Sequence, residues 1–572
     1  MRLRSVGRLL ALAAVVTMVA AACGGGGPSG GASASSQPPV KQGGKVVVGA
    51  EQWPECINPI TSCIGASWTY WSVMYHVLPL LTQLDLQGNN VAGNLSTQFP
   101  TIDNGLIKQN PFTITVPMDP NAVWNDGSPI TCNDVRFTWL AQLNTKGAYA
   151  AGVGYDQIKD IDCSQKDKTI MVFSKPYADW TDLFGGGLGF VLKADEYKGV
   201  DPQKPDISKF NADSLPYSGN HWILKSWSKQ QAIFQPNKNY WIKDEIPILD
   251  QFTEIPLLEQ SAEINAVLSG EVAAIWPQPS EVSILDQVAG DPNVVAKGVT
   301  GFFNEEIWIN HSHPPLDDVK VREALAYALD REGVVNAIIK VNQPSATVSQ
   351  CVGNTYTTIG NWCTPEFTDV SYDPKKSVQI LESDGWDCSG VPNNPCTKNG
   401  QPLSLQYSTV AGNTRREATQ PLLKEKARPA GFQFTVKNYD AGVLFGDVGP
   451  HGQFDLADYA LGGSPDPSFT GNFGCNSIPT QANSFAGANW VHWCDKQAYD
   501  LMQQSDAEID VAKREDLIHQ ISDIYAKDFV SIPLYILPNV GVWRTDQVAG
   551  PIGQYNAHFY GLFYNSFDWY KP

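Results

Sequence analysis

Valine fills three successive positions in "GGKVVVGAEQ" (43–52), a short continuous apolar run bounded by glycine, as in a buried strand. "FTITV" (112–116) alternates apolar and polar, the period of a strand with one buried face. "AVWNDGSPITCNDVRFTWLAQL" passes from turn chemistry at Asn125-Asp126-Gly127 into a helix carrying Val135, Trp139 and Leu140, with Thr131 or Asn133 as its cap. "SAEINAVLSGE" (261–271) reads as a short helix capped by Ser261 and stopped at Gly270. In "PPLDDVKVREALAYALDREGVVNAI", Asp317 or Asp318 caps a helix whose buried stripe is Val321, Leu325, Ala328 and Leu329. "YDPKKSVQILESDGW" sets Asp373 at a cap, Pro374 at the first helical position and Gly385 just past the end. "EIDVAKREDLIHQISDIYAKD" puts Leu517, Ile518, Ile521, Ile524 and Tyr525 on one helical face. Strands and helices mix without a repeat period, which predicts a large α/β chain.

One apolar run has a different character. Arg2, Arg4 and Arg8 precede an apolar stretch of fourteen residues, Leu9 to Ala22, too short to span a bilayer. A basic start, a short apolar core and small residues before a cut site describe a signal peptide over 1–22. Val19-Ala-Ala-Ala-Cys23 also resembles a bacterial lipobox, with Ala20 where leucine is usual, so Cys23 is expected to be acylated as the first mature residue. The competing reading is an ordinary cut near Ala22 that leaves a free thiol. Residues 24–44 are mostly glycine, serine and proline with almost no apolar content, and 23–44 is expected to be a lipid-anchored flexible tether. As a random coil it reaches roughly 25 Å.

Length and composition narrow the rest. The chain has 572 residues, 42% hydrophobic, with a formal net charge of -19. That length exceeds one core and predicts at least two lobes. The acidity argues against nucleic acid, which needs a basic face. Beyond Cys23 there are ten cysteines, an even number suited to an exported, oxidised chain. They fall as near neighbours, Cys56 with Cys63, Cys132 with Cys163, Cys351 with Cys363, Cys388 with Cys396 and Cys475 with Cys494, and five local bridges are the expectation. No C-x-x-C pair or histidine cluster suggests a metal.

The order of segments resembles the extracytoplasmic solute-binding proteins of family 5, the peptide and nickel class (oligopeptide- and dipeptide-binding lipoproteins) that serves ABC importers. The stretches that carry it are "WNDGSPITCNDVRFTW", "ILKSWSKQQAIFQPNKNYW", "LSGEVAAI", "PPLDDVKVREALAYALDRE", "YDPKKSVQILESDGW", "QFDLADYALGGSPDP" and "IPLY". The resemblance implies a two-lobed periplasmic-binding-protein-like α/β fold of class II type with an extra subdomain in lobe I. Lobe I would take 45–70, 196–300 and 541–572, the subdomain 71–195, and lobe II 301–540. The lobes would close over a ligand as a hinged clamp, and a membrane permease would recognise the closed form. The implied chain is a monomer, held to the extracytoplasmic face of the bacterial cell membrane by its lipid, with no cofactor.

The resemblance also places the ligand. Trp276 and Gln278 follow "SGE"; Glu306 and Trp308 lie where the chain crosses to lobe II; Asp458, Gly463, Ser464 and Asp466 lie in "FDLADYALGGSPDP"; Tyr535 lies in "IPLY". Each aromatic could equally be core packing, and Asp466 reads more readily as a turn or cap before Pro467. In oligopeptide-binding members a carboxylate shortly before the Asp/Glu-Pro pair clamps the peptide's α-ammonium, and Gly463 stands at that position. Either Asp458 or Glu306 then supplies the charge, or the ligand has no free amine there. A peptide is the expected ligand and an oligosaccharide, suited to 17 tryptophans, is the alternative; nickel and haem have less support. A secreted hydrolase is the rival class. No G-x-S-x-G elbow or H-E-x-x-H helix occurs in the folded body, "FGGGLGF" (184–190) lacks the dinucleotide context, and His311 and His313 in "HSHPP" read as an exposed loop.

Overall fold

In a computed structural model of the chain, the described residues are 42–572, apart from 62, 64–68, 149–153, 187–188, 278–281, 354, 356–359, 441–442, 463–465, 484, 486 and 555–559. Cys23 and the tether therefore lie outside them. Among the described residues, no helix is long and apolar enough to cross a membrane.

Ten strands build the large sheet: β1 (Lys45–Ala50), β2 (Trp222–Trp227), β3 (Ala232–Pro236), β4 (Gln251–Pro256), β5 (Ala274–Ile275), β6 (Val294–Ile309), β7 (Ser404–Ser408), β8 (Gln433–Val436), β9 (Leu456–Leu461) and β10 (Ser531–Arg544). Their order across the sheet is β8-β7-β9-β6-β10-β5-β1-β4-β3-β2. The valine run is β1, parallel to both β4 and β5, which explains its continuous apolar character. A separate four-stranded antiparallel sheet holds Ile107–Gln109, Phe112–Pro117, Lys168–Phe173 and Ile158–Asp162. Phe112–Pro117 shows the alternating burial its sequence predicts.

Two long strands tie the lobes together. β6 and β10 pair antiparallel from Val294–Thr300 against Pro538–Arg544, and again from Asn304–Trp308 against Ser531–Ile536, with a register shift between Thr300 and Asn304. At that shift a Cβ on Gly301 would sit 2.3 Å from the Leu537 carbonyl, so only glycine allows the two backbones so close. On one side of the crossing, a core joins Val46 through Trp276 to Trp543–Trp569. On the other side a second core runs from Ile307 to Leu537. The fold is thus a two-lobed α/β clamp.

The helices are α1 (Cys132–Asn144), α2 (Gln260–Ser269), α3 (Val319–Ala328), α4 (Pro374–Ser383), α5 (Thr414–Ala427), α6 (Lys496–Ala507) and α7 (Val511–Lys527). Local signals set most of their starts. Thr131 opens α1 with its N–H donating to Asp134 at 2.8 Å, Asp318 caps α3, and Asp373 accepts from both Lys375 and Lys376 at the start of α4. Ser261 does not cap α2. The helix begins at Gln260, because the Glu259 carbonyl already accepts from the N–H groups of Ala262 and Glu263. His311 is also not part of a fully exposed loop: it is half-buried, and its Nε2 lies 3.4 Å from the Val530 carbonyl.

The structure joins the cysteines as five bridges, 56–63, 132–163, 351–363, 388–396 and 475–494.

Candidate ligand cleft

Glu305 and Glu306 are neighbours on β6, so their side chains leave opposite faces of the sheet. Both are fully buried. Glu305 meets the first turn of α5, where its carboxylate accepts from Arg415 Nη2 at 3.0 Å and from Arg416 Nε at 2.5 Å. Burial alone would raise its pKa, but the two guanidiniums win and hold it below the usual carboxylate range. Arg415 also donates to the Tyr535 hydroxyl at 3.1 Å. Asp458 on β9 accepts from the Tyr407 hydroxyl at 2.9 Å. Burial first, then the charge of Glu305, pushes its pKa well up, so Asp458 keeps its proton and Glu305 carries the negative charge.

On the other face, Glu306 accepts from Asn304 Nδ2 at 2.7 Å and from the Ser531 hydroxyl. These bonds do not offset burial, which raises its pKa to about 8. Trp308 donates from Nε1 to the Tyr459 carbonyl at 2.8 Å and stacks on the Tyr459 and Phe473 rings. In lobe I, Trp276 packs on Trp71 with ring centroids 4.9 Å apart and lies close over Gly561. Of the residues expected around the ligand, Gln278, Gly463 and Ser464 lie outside the described residues. Glu306, Trp308, Asp458 and Tyr535 sit inside lobe II, so neither expected carboxylate shows an open face to a ligand ammonium. Glu305, Arg415 and Arg416 were not singled out from sequence. Their signal is two carboxylates inside the apolar run "FFNEEIWIN", since buried charges need partners.

A cavity of about 570 Å³ separates lobe II from the extra subdomain. The subdomain contributes Phe99 and Trp180, stacked at 5.5 Å, with Ile102 and Ile107. Lobe II contributes Trp362, Asp466, Ile509 and the first turn of α7, where Asp510 is the cap. Asp466 is the one expected ligand residue on this wall, and it pairs with Arg514. The Arg514 guanidinium lies over the Trp362 ring at 5.4 Å, and its Nη1 donates to the Glu508 carbonyl at 2.8 Å. Its Nε has no acceptor among the described residues. Beside the cavity the short 3₁₀ turn Ala178–Asp182 packs against α6. Burial, then the charges of Asp182 and Asp506, raises Asp179 there to about 8.

The edge of β9 is the remaining feature. β7 pairs with it only at Tyr407–Leu456 and Ser408–Ala457. Beyond Ala457 its outer edge has no strand partner among the described residues, although Thr409 Oγ1 donates to the Asp458 carbonyl at 2.7 Å. Tyr459, Ala460 and Leu461 are half-buried. This edge ends beside the lobe crossing: Leu461 opposes Asn304, and a Cβ on Gly462 would fall 2.4 Å from the Phe303 ring.

Two lobes joined by paired crossing strands, with a cavity between the bodies and an open strand edge at the crossing, are the layout of a two-lobed binding protein. The chain belongs to the bacterial extracellular solute-binding proteins of family 5, whose model ("Bacterial extracellular solute-binding proteins, family 5 Middle") matches residues 105–478. That family is one of binding proteins, not enzymes. The oligopeptide-binding protein AppA of Bacillus subtilis (strain 168) is 23% identical over 502 residues, covering 85% of this chain and 84% of that one. The dipeptide-binding protein DppE of the same organism is 25% identical over 540 residues, covering 89% and 91%. Among solved structures, a periplasmic EDTA-binding protein EppA superposes with a TM-score of 0.79 at 17% identity, covering 93% of this chain and 97% of that one. AppA of Bacillus subtilis in complex with a nonapeptide gives 0.71 at 21% identity, covering 93% and 100%.

Proposed function

We propose that the protein is the lipid-anchored substrate-binding subunit of an ABC importer, capturing peptides between its lobes and delivering them to a membrane permease. The observation that carries the peptide reading is the open edge of β9 beside the crossing strands. An extended backbone can add to such an edge as a further strand, with main-chain hydrogen bonds giving affinity. The similarity to peptide-binding relatives supports the same ligand class. In this reading lobe I comprises 45–70, 196–300 and 541–572, the subdomain 71–195, and lobe II 301–540. The protein acts as a monomer. The ligand region is drawn from Trp276, Gln278, Gly463, Ser464 and Asp466, with Glu305 and Arg415 stiffening lobe II behind it.

Calorimetry with synthetic peptides tests this. Extended peptides are expected to bind, and N-methylation of one backbone amide in register with β9 should weaken binding about tenfold or more by removing its N–H. Saturable binding of an oligosaccharide, with all peptides silent, would replace the peptide reading by the carbohydrate one.

The anchor gives a second expectation. Cys23→Ala removes the sulfur that would carry the lipid, and the tether alone has too little apolar content to hold a bilayer. The variant should move from the membrane pellet to the medium, as read by fractionation and blotting. Retention equal to the parent would mean that something other than Cys23 holds the chain.

A further inference from the structure

Glu306 is buried, forms no ion pair among the described residues and takes no part in strand addition at β9. Its neighbours connect it to the cleft. Asn304 and Glu306 are two apart on β6 and so share one face of the sheet. On that face Asn304 Nδ2 donates to two acceptors, the Glu306 carboxyl at 2.7 Å and the Cys351 carbonyl at 3.2 Å. The Gly353 N–H donates to the same carboxyl. A disulfide joins Cys351 to Cys363, and the residue before Cys363 is Trp362, which lines the cavity facing the extra subdomain. A continuous path, from the Glu306 carboxyl through Asn304, Cys351 and the bridge, thus reaches the cleft wall.

These surroundings suit a neutral carboxyl. It offers oxygen to Asn304 and Gly353 and shares a proton with the Ser531 hydroxyl, which lies 2.8 Å from the Tyr525 phenol. The other ionisable groups that face it are the phenols of Tyr459 on β9 and Tyr525 on α7, both kept neutral by burial. None of these is a cation. Ionised, Glu306 would be a buried and unpaired charge, relieved only by water entering or by the carboxylate moving, and either parts it from Asn304 and Gly353. We propose that Glu306 is a positioning residue for ligand capture: its neutral form fixes Cys351, Gly353 and, through the bridge, Trp362 on the cleft wall, and its ionised form lets them go. The proposal rests on the peptide reading above and adds to it a proton requirement. Glu306 titrates at about 8, so the holding form prevails at pH 7 and is the minor one at pH 9. Apparent affinity scales with the competent fraction, which falls about tenfold between those two values.

Two measurements on the full chain at pH 7 and pH 9 test it: calorimetry with hexa-alanine, and hydrogen exchange at the amides of Gly353 and Trp362, corrected for the chemical rate. In the parent, affinity and protection should each fall about tenfold from the lower to the higher pH. Glu306→Gln keeps an oxygen for Asn304 and does not titrate, so its affinity and protection should be the same at both values. Glu306→Ala keeps neither contact and should show the low values throughout, and rescue by glutamine separates this from a loss of fold. Asp179→Asn removes the other group beside the cleft that titrates at about 8, and should leave the parent's pH response in place. A response that survives Glu306→Gln, or that Asp179→Asn abolishes, would overturn the role of Glu306 and leave the peptide reading standing. Hexa-alanine silent at both values would count against the peptide reading alone, and protection at Gly353 and Trp362 then decides the role of Glu306.

Discussion

Glu305→Gln should destabilise lobe II by about 3–5 kcal/mol, the usual cost of removing one partner of a buried ion pair. The reason is what remains. Arg415 and Arg416 are both buried, and glutamine leaves one carbonyl oxygen for two guanidiniums and no negative charge. The protonated Asp458 cannot replace it without giving up its own proton in the same low-dielectric site. Urea unfolding at pH 7, followed by tryptophan fluorescence, reads the loss. Glu306→Gln is the internal control, one residue away on the opposite face. Its parent carboxyl is raised to about 8, so it already carries its proton at neutral pH. A group whose folded pKa is raised contributes stability that is fully present below the unfolded value near 4.5 and lost as pH rises to about 8. Glutamine does not titrate, so the variant should lose less stability over that window than the parent, by on the order of 1–3 kcal/mol. A residual slope stays, because Asp179 at about 8 and Glu263 at about 9 titrate upward in the same direction. Glu305 has the opposite sign, being held low, so its contribution persists above the unfolded value and is lost on acidification. Equal losses for the two glutamine variants at pH 7 would show that the arginines do not depend on Glu305.

Opening the Cys132–Cys163 bridge should be the costliest disulfide loss. Its partners are 31 residues apart, the largest separation of the five, and it ties the first residue of α1 to the chain leaving the strand Ile158–Asp162. The chain-entropy model gives about 3–4 kcal/mol for a loop of that size and about 2 kcal/mol for one such as Cys56–Cys63, whose separation is 7. Paired alanine substitutions at each bridge, compared by urea unfolding under one set of conditions, rank the two. A larger loss at Cys56–Cys63 would mean that native contacts, not loop size, set the order.

What could be read from sequence was what is local. Asp318, Asp373 and Pro374 mark their helix starts because a cap is decided within four residues. The valine run and the "FTITV" alternation show in advance which strand is buried on both faces and which on one. The neighbour pairing of cysteines also needed no long-range information. The Glu305 cluster was hidden because its members meet only in space: Arg415 comes 110 positions later on a different element. The same holds for Arg514 and Asp466, 48 positions apart. Family resemblance could point to "FDLADYALGGSPDP", but not to which of its side chains turn inward. Asp458 does so because Ile307 lies opposite it in the β6–β9 ladder and Tyr407 waits on the next strand.

The ladder between β5 and β10 governs how the chain can assemble as it emerges N-terminus first. β1, β2, β3, β4 and β5 are all present once Ile275 is out, yet β5 meets its other neighbour only at Val542 and Trp543. Until then the first lobe has an unpaired rim. That rim is two residues long, too short to template pairing with another chain. The loop closed when β10 arrives contains the whole second lobe, and its entropic cost grows only with the logarithm of its length. A second lobe that folds first shortens that loop to the distance between two adjacent strands. Docking of β10 then becomes the lobe-joining step of assembly, and a chain truncated before Val540 would lose both the sheet across β5 and the Trp543–Trp569 part of the first core.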